Sequence, residues 1–147
     1  MDKRIIRTQK YLLCIGLILC IGVIVAAVYF FNSLFPKAEP ISLPQNDDVI
    51  SISVRINTSD MTIPMSENDI DRLFEYLREG KPTRQQALND YPTERLYYDI
   101  SIQTSEREYC YFIYETDGQT YIEVPYEGIY EAKTELLNLV LTYFQEG

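Results

Sequence analysis

Tyr109–Val124 reads YCYFIYETDGQTYIEV, two β-prone runs around Thr116-Asp117-Gly118-Gln119. Asp-Gly between such runs signals a two-residue hairpin turn, because both central positions require a positive φ that glycine and aspartate tolerate. The runs Tyr109 to Glu115 and Thr120 to Val124 are therefore read as neighbouring antiparallel strands, with Pro125 ending the second. Upstream, Leu96 to Thr104 alternates, with Leu96, Tyr98, Ile100 and Ile102 on one face and Tyr97, Asp99, Ser101 and Gln103 on the other. One turn thus joins two strands, and alternation marks a third before them.

Outward from this core the pattern repeats. Val49 to Ile56 alternates, with Ile50, Ile52, Val54 and Ile56 facing the core. Asn57 to Asp60 makes a turn into a short strand, Met61 to Met65, which Pro64 places at an edge. Ser66 opens a helix as its N-cap, with Asp69 three residues on as a variant capping box. Ile70, Leu73, Phe74 and Leu77 form its apolar stripe. Gly80 is expected in a left-handed C-terminal position, and Pro82 prevents continuation. Lys81 to Glu94 shows no periodicity and is the longest irregular stretch of the domain. A closing helix is expected from Gly128 to Phe144, with Ile129, Ala132, Leu136, Leu139, Val140 and Tyr143 inward. The order is ββαβββα. Strands joined by short turns imply an α+β fold: a small antiparallel sheet with two helices packed on one face.

Residues 11–31 are a different kind of sequence. Tyr11 to Phe31 is 21 residues without a charge; as a helix it spans about 30 Å, the thickness of a bilayer's hydrocarbon core. Aromatic rings at Tyr11, Tyr29, Phe30 and Phe31 suit the lipid–water interface. Lys3, Arg4, Arg7 and Lys10 precede the run, so residues 1–10 are expected to stay in the cytoplasm as a tail and the C-terminal part to be exported. A cleaved signal peptide has the same charged start, but its apolar core is usually about 7–15 residues, shorter than this one. Residues 32–48, with Pro36, Pro40 and Pro44, read as an extended stalk, and residues 49–147 as one extracytoplasmic domain.

Composition narrows the function. Residues 32–147 hold 9 Lys+Arg against 21 Asp+Glu, a net charge of −12, which argues against nucleic acid and against adhesion to anionic lipid. Cys110 is the single thiol of that part, so no internal disulfide forms there; Cys14 and Cys20 lie in the anchor. The chain has no histidine, which removes the commonest general base and metal ligand. No nucleophile elbow, phosphate loop or dinucleotide glycine pattern occurs. Asp69, Asp71 and Glu75 are close along the first domain helix, but calcium prefers a ring of loop oxygens, and the solvated-face reading is taken. No catalytic residue, metal or cofactor is expected. The 13 tyrosines with no tryptophan suit strands and also suit an aromatic contact face.

Asn89-Asp90-Tyr91-Pro92 and Tyr121-Ile122-Glu123-Val124-Pro125-Tyr126-Glu127-Gly128-Ile129-Tyr130 resemble an uncharacterised domain family of small exported proteins of Gram-positive Firmicutes, often tethered by a lipid or one helix. The resemblance runs from about Ile41 to the C-terminus and implies no activity, cofactor or catalytic residue. The motif itself reads as a corner, with Tyr126 and Tyr130 stacked at the start of the closing helix. The interaction surface expected from these readings comprises Asn89, Asp90, Tyr91, Tyr97, Tyr126 and Tyr130. The expected function is a membrane-anchored, non-catalytic binding or regulatory module with a protein or peptide partner. The alternatives are an accessory subunit of a larger membrane complex and a carboxylate-dependent hydrolase.

Overall fold

The computed structural model describes residues 3–145, with side chains from residue 11. The charged side chains of the expected cytoplasmic tail lie outside the described residues. The chain divides into two units, one ending at Pro36 and one beginning at Lys37. The first is helix α1, Lys3–Leu34. Within it Tyr11–Leu34 is long and apolar enough to cross a membrane. Asn32–Leu34, expected in the stalk, continue this helix.

The second unit is a seven-stranded antiparallel sheet with two helices. Its elements are β1 (Val49–Ile56), β2 (Thr62–Pro64), α2 (Glu67–Arg78), β3 (Lys81–Pro82), β4 (Tyr98–Thr104), β5 (Glu108–Thr116), β6 (Gln119–Val124), β7 (Gly128–Ala132) and α3 (Thr134–Gln145). The order across the sheet is β2-β1-β4-β5-β6-β7-β3. The Asp-Gly hairpin forms as its sequence requires, with Asp117 at φ 52° and Gly118 at φ 75°. Pairing then runs from Thr116↔Gln119 to Phe112↔Glu123.

One face of the sheet carries the main core. Ile52, Val54, Ile100, Ile102, Tyr111, Ile113, Ile122 and Tyr130 meet Leu73, Phe74 and Leu77 of α2 and Leu136, Leu139 and Val140 of α3. The alternation in each strand and the 3.6-residue stripe of each helix produce this single contiguous core.

Several expectations are corrected. The run from Gly128 is not helical at first: Gly128–Ala132 pairs with β6 as a strand, and the helix starts at Thr134. Tyr126 and Tyr130 therefore do not stack along a helix. The β1 ladder shifts register between Val49 and Ser51. This bulge puts Ile50 out of the core face, 67% exposed, and Val49 onto the core instead. Leu96 precedes β4 and is exposed. Ser66 makes no side-chain cap. Its backbone N–H donates to the Tyr143 hydroxyl at 3.0 Å, and that hydroxyl donates to Asp69 Oδ2 at 2.7 Å. Gly80 has no positive φ. A Cβ there would come within 2.8 Å of Ile41 Cδ1 and 3.1 Å of the Leu77 carbonyl oxygen, so close packing rather than a left-handed backbone is what favours glycine.

The expected stalk is corrected most. Residues 37–48 belong to the domain and lie across it as a strap. The Ala38 N–H donates to the Thr83 carbonyl at 3.0 Å, Ile41 and Leu43 pack on the core, and Pro44 is buried. The Tyr130 hydroxyl donates to the Glu39 carbonyl at 2.7 Å, and the Tyr111 hydroxyl to the Ser42 carbonyl at 2.7 Å. Prolines keep this segment extended, while its apolar side chains hold it down.

Candidate functional site

Topology dictates what covers the second face of the sheet. After β3 at one edge, the chain must return to β4 in the middle, past β7, β6 and β5. The helices occupy the core face, so the segment 83–97 crosses the other one. Its start is fixed by Thr83, whose N–H and hydroxyl both donate to the Ile129 carbonyl at 3.0 and 2.6 Å. Its end is fixed by Asn57. The Asn57 amide donates to the Arg95 carbonyl at 3.1 Å, and its Oδ1 accepts from the Tyr97 N–H at 3.3 Å.

The loop seals aromatic and acidic side chains that the sheet sends to this face. The Phe112 ring lies 5.8 Å from that of Tyr91 and 5.4 Å, edge-on, from that of Tyr97. Tyr114 and Tyr121, directly opposite in register, stack at 5.7 Å. Arg55 Nη2 donates to Asp99 Oδ2 at 2.7 Å; Asp99 Oδ1 is buried and unpartnered. Burial pushes the Tyr97 phenol up, opposed by the Arg55 charge. Burial also pushes the Cys110 thiol up, to about 11, so it is a poor nucleophile near neutrality.

Glu123 is the unexpected member, only 6% exposed. Burial raises its pKa, Glu94 adds to the rise, and a hydrogen bond from the Tyr114 hydroxyl opposes it. A carboxyl group with a raised folded-state pKa stabilises the fold fully below its ordinary value of 4.5. That contribution is lost as pH rises through the folded value. Glu123→Gln, which accepts the same hydrogen bond without charge, is therefore expected to raise the unfolding midpoint at pH 7. The advantage should disappear below pH 4.5. Thermal scans of both chains across that range check this; an equal gap at every pH would count against it.

The structure brings together five of the six residues expected at the surface and excludes one. Asp90 accepts a hydrogen bond from the Tyr126 hydroxyl, and the Tyr126 N–H donates to the Ala87 carbonyl at 2.9 Å. The β6–β7 corner and the loop are thus one surface, with Tyr126 held at φ 62°. Asn89, Asp90, Tyr91 and Tyr126 are exposed and Tyr97 is half-buried. Tyr130 is fully buried on the opposite face, because it is one strand residue out of phase with Ile129. Phe112, Tyr114 and Glu123 were missed as site residues. The signal was the unbroken apolar run YCYFIY, which marks a strand buried on both faces rather than one. Asp69 is engaged by Arg72 and Tyr143, and Asp71 by Asn46. Among the described residues no group of three His, Cys, Asp or Glu side chains is arranged to hold a metal.

Comparison with curated proteins gives no match. A solved NMR structure of a protein from Ruminococcus gnavus is 33% identical and superposes with a TM-score of 0.53, over 62% of this chain and 89% of that one. A family model described as a domain of unknown function (DUF5300) matches residues 37–131. That match begins where the strap begins and takes in the loop and the corner. The chain belongs to this family of domains of unknown function.

Proposed function

We propose that the chain is a single-pass membrane protein whose domain is a non-catalytic binding module for a protein partner. In this reading α1 is retained in the cytoplasmic membrane, the N-terminus is cytoplasmic and the domain is extracytoplasmic. The cationic flank Lys3, Arg4, Arg7 and Lys10 supports that orientation. The carrying observation is the rim of the loop surface: Leu88 and Tyr126 are each 69% exposed and Tyr91 is 55% exposed. Tyr126 and Tyr91 are nonetheless fixed, by Asp90 and by Phe112. Pre-set aromatic rings give contact area at low entropic cost, the physical requirement of a recognition surface. A hydrolase would need an accessible carboxyl pair; Glu123 lies beneath the loop, beside Glu94.

A photoreactive residue at Tyr91, introduced in whole cells, is expected to give a discrete adduct absent from the same probe at Met61, which is exposed beside the far edge strand. Tyr126→Asn tolerates the left-handed backbone and removes the ring. It should weaken the Tyr91 adduct roughly tenfold, with stability changed by about 0.5–1 kcal/mol or less. Identical adducts from both probes would overturn the reading.

A further inference from the structure

The sheet contains an open edge in its interior. β5 pairs with β4 from Glu108 onward, Gln103↔Glu108 to Tyr98↔Ile113, but its pairing with β6 starts only at Phe112↔Glu123. The next partners would be Tyr111 with Val124 and Cys110 with Pro125. Proline has no N–H to give, and Tyr126 turns the chain away to the Ala87 carbonyl. The Thr104 N–H bonds the Arg107 carbonyl across the β4–β5 turn. Antiparallel ladders alternate, so Tyr109 and Tyr111 direct their backbone groups to β4. Glu108 and Cys110 direct theirs to the side that β6 leaves free.

That edge opens onto a cleft of about 240 Å³ lined by Ser42, Arg107, Tyr109, Val124, Pro125 and Glu127, among others. A second cleft, with Glu39, Pro40 and Tyr126 in its walls, shares Ser42 and Glu127 with it. The strap and the β6–β7 corner therefore border one groove. Glu39 and Glu127 stand against the lone Arg107 among these lining residues, the Glu108 carboxylate being engaged by the Ser101 hydroxyl, in a domain whose net charge is itself strongly negative. Arg107 lies over the Tyr109 ring, 4.1 Å from its centroid.

We propose that this groove accepts an extended, cationic polypeptide segment as an added strand on β5. Backbone donors and acceptors of Glu108 and Cys110 pair with the segment. Its Lys or Arg side chains meet Glu39 and Glu127, and its apolar side chains rest on Tyr109, Val124 and Pro125. At about 3.3 Å per residue the free edge holds roughly four residues of such a segment. Strand addition draws affinity from main-chain bonds and specificity from alternate side chains. This groove adjoins the loop rim at Tyr126, and its occupancy does not require Leu88 or Tyr91 to bind anything.

The test uses the full chain in neutral detergent micelles and a fluorescent peptide of alternating lysine and valine. Three companions are titrated beside it: the same peptide with alternate backbone nitrogens methylated, a glutamate–valine analogue, and a Glu39→Gln/Glu127→Gln chain. The expected result is saturable binding that falls at least tenfold on N-methylation, on charge reversal of the peptide and on neutralising the two glutamates. Amide exchange at Glu108 and Cys110 should be fast in the free chain and slowed by the lysine–valine peptide. Cys110→Pro removes one of these donors from the open side, where no β4 bond is lost, and should weaken binding similarly. If that variant fails to fold, the N-methylated peptide still reads the same ladder from the other side, through the peptide N–H groups that donate to the Glu108 and Cys110 carbonyls. The proposal is overturned by no binding, by equal binding of methylated and unmethylated peptides, or by preference for the glutamate peptide. Protection of both amides in the free chain, whether by its own residues or by a second copy, would overturn it as well.

Discussion

Tyr111→Ala is expected to lower the stability of the domain by roughly 3–5 kcal/mol, the usual cost of removing a buried aromatic side chain. Tyr111 is fully buried at the centre of the core face, between Ile100 of β4 and the strap. Its loss leaves a cavity and also deprives the Ser42 carbonyl of its donor. Tyr111→Phe separates the two effects: it keeps the ring and removes only the hydroxyl, at a cost of about 1 kcal/mol. Tyr130→Phe should cost about the same, because its hydroxyl holds the Glu39 carbonyl in the equivalent way. Chemical unfolding in micelles, followed by tyrosine fluorescence since the chain has no tryptophan, measures all three. A Tyr111→Phe chain as stable as the parent would show that the bond to Ser42 adds nothing to the strap's other contacts. Domain stability is typically about 5–15 kcal/mol, so the loss is a large share of the whole and leaves a measurable unfolded fraction where the parent lies at the low end of that range.

The strap also marks the boundary of what the sequence discloses. Pro36, Pro40 and Pro44 state that the segment is extended; they do not state whether it is solvated. Ile41 and Leu43 were the available signal, two apolar residues in a supposed stalk, and tertiary burial is what they report. The hairpin at Asp117-Gly118 was legible because turn chemistry is local. The switch at Lys133 from strand to helix was not. Ile129, Ala132 and Leu136 happen to fall at helical spacing, and five residues of β7 are too few for a period of two to compete. The expected surface fared similarly. Asp90 and Tyr126 meet across 36 positions of sequence because β3 lies at the far edge and forces the loop back over β7, β6 and β5. That sheet order has no local signature. A helical spacing would group Tyr130 with Tyr126; β7 replaces that helix and sends Tyr130 to the opposite face.

Gly128→Ala is the sharpest test of how the strap docks. A Cβ on Gly128 would stand 2.4 Å from the Ala38 Cβ, a separation that real Cβ atoms do not show. Neither side yields easily. Ala38 is tied to the Thr83 carbonyl by its own N–H, and Thr83 in turn to Ile129, the residue after Gly128. Gly128 itself is held in register against Val124, with φ at 156°, a value that side chains with a Cβ rarely adopt. Overpacking alone typically costs about 1–3 kcal/mol and backbone strain about 1–3 kcal/mol more, so a loss of about 3 kcal/mol is expected. Adding Ala38→Gly removes the opposing methyl group and should return the overpacking part, leaving the strain. The coupling measured by that double-mutant cycle is then about 1–3 kcal/mol. It should be absent when Ala38→Gly is combined instead with Gly118→Ala, whose Cβ meets nothing within 4 Å. A Gly128→Ala chain within about 0.5 kcal/mol of the parent, or no rescue by Ala38→Gly, would mean that the strap does not lie against the β6–β7 corner in solution. Residues 37–44 would then have to be read as the free stalk that their prolines first suggest, and the groove beside β5 would lose one of its walls.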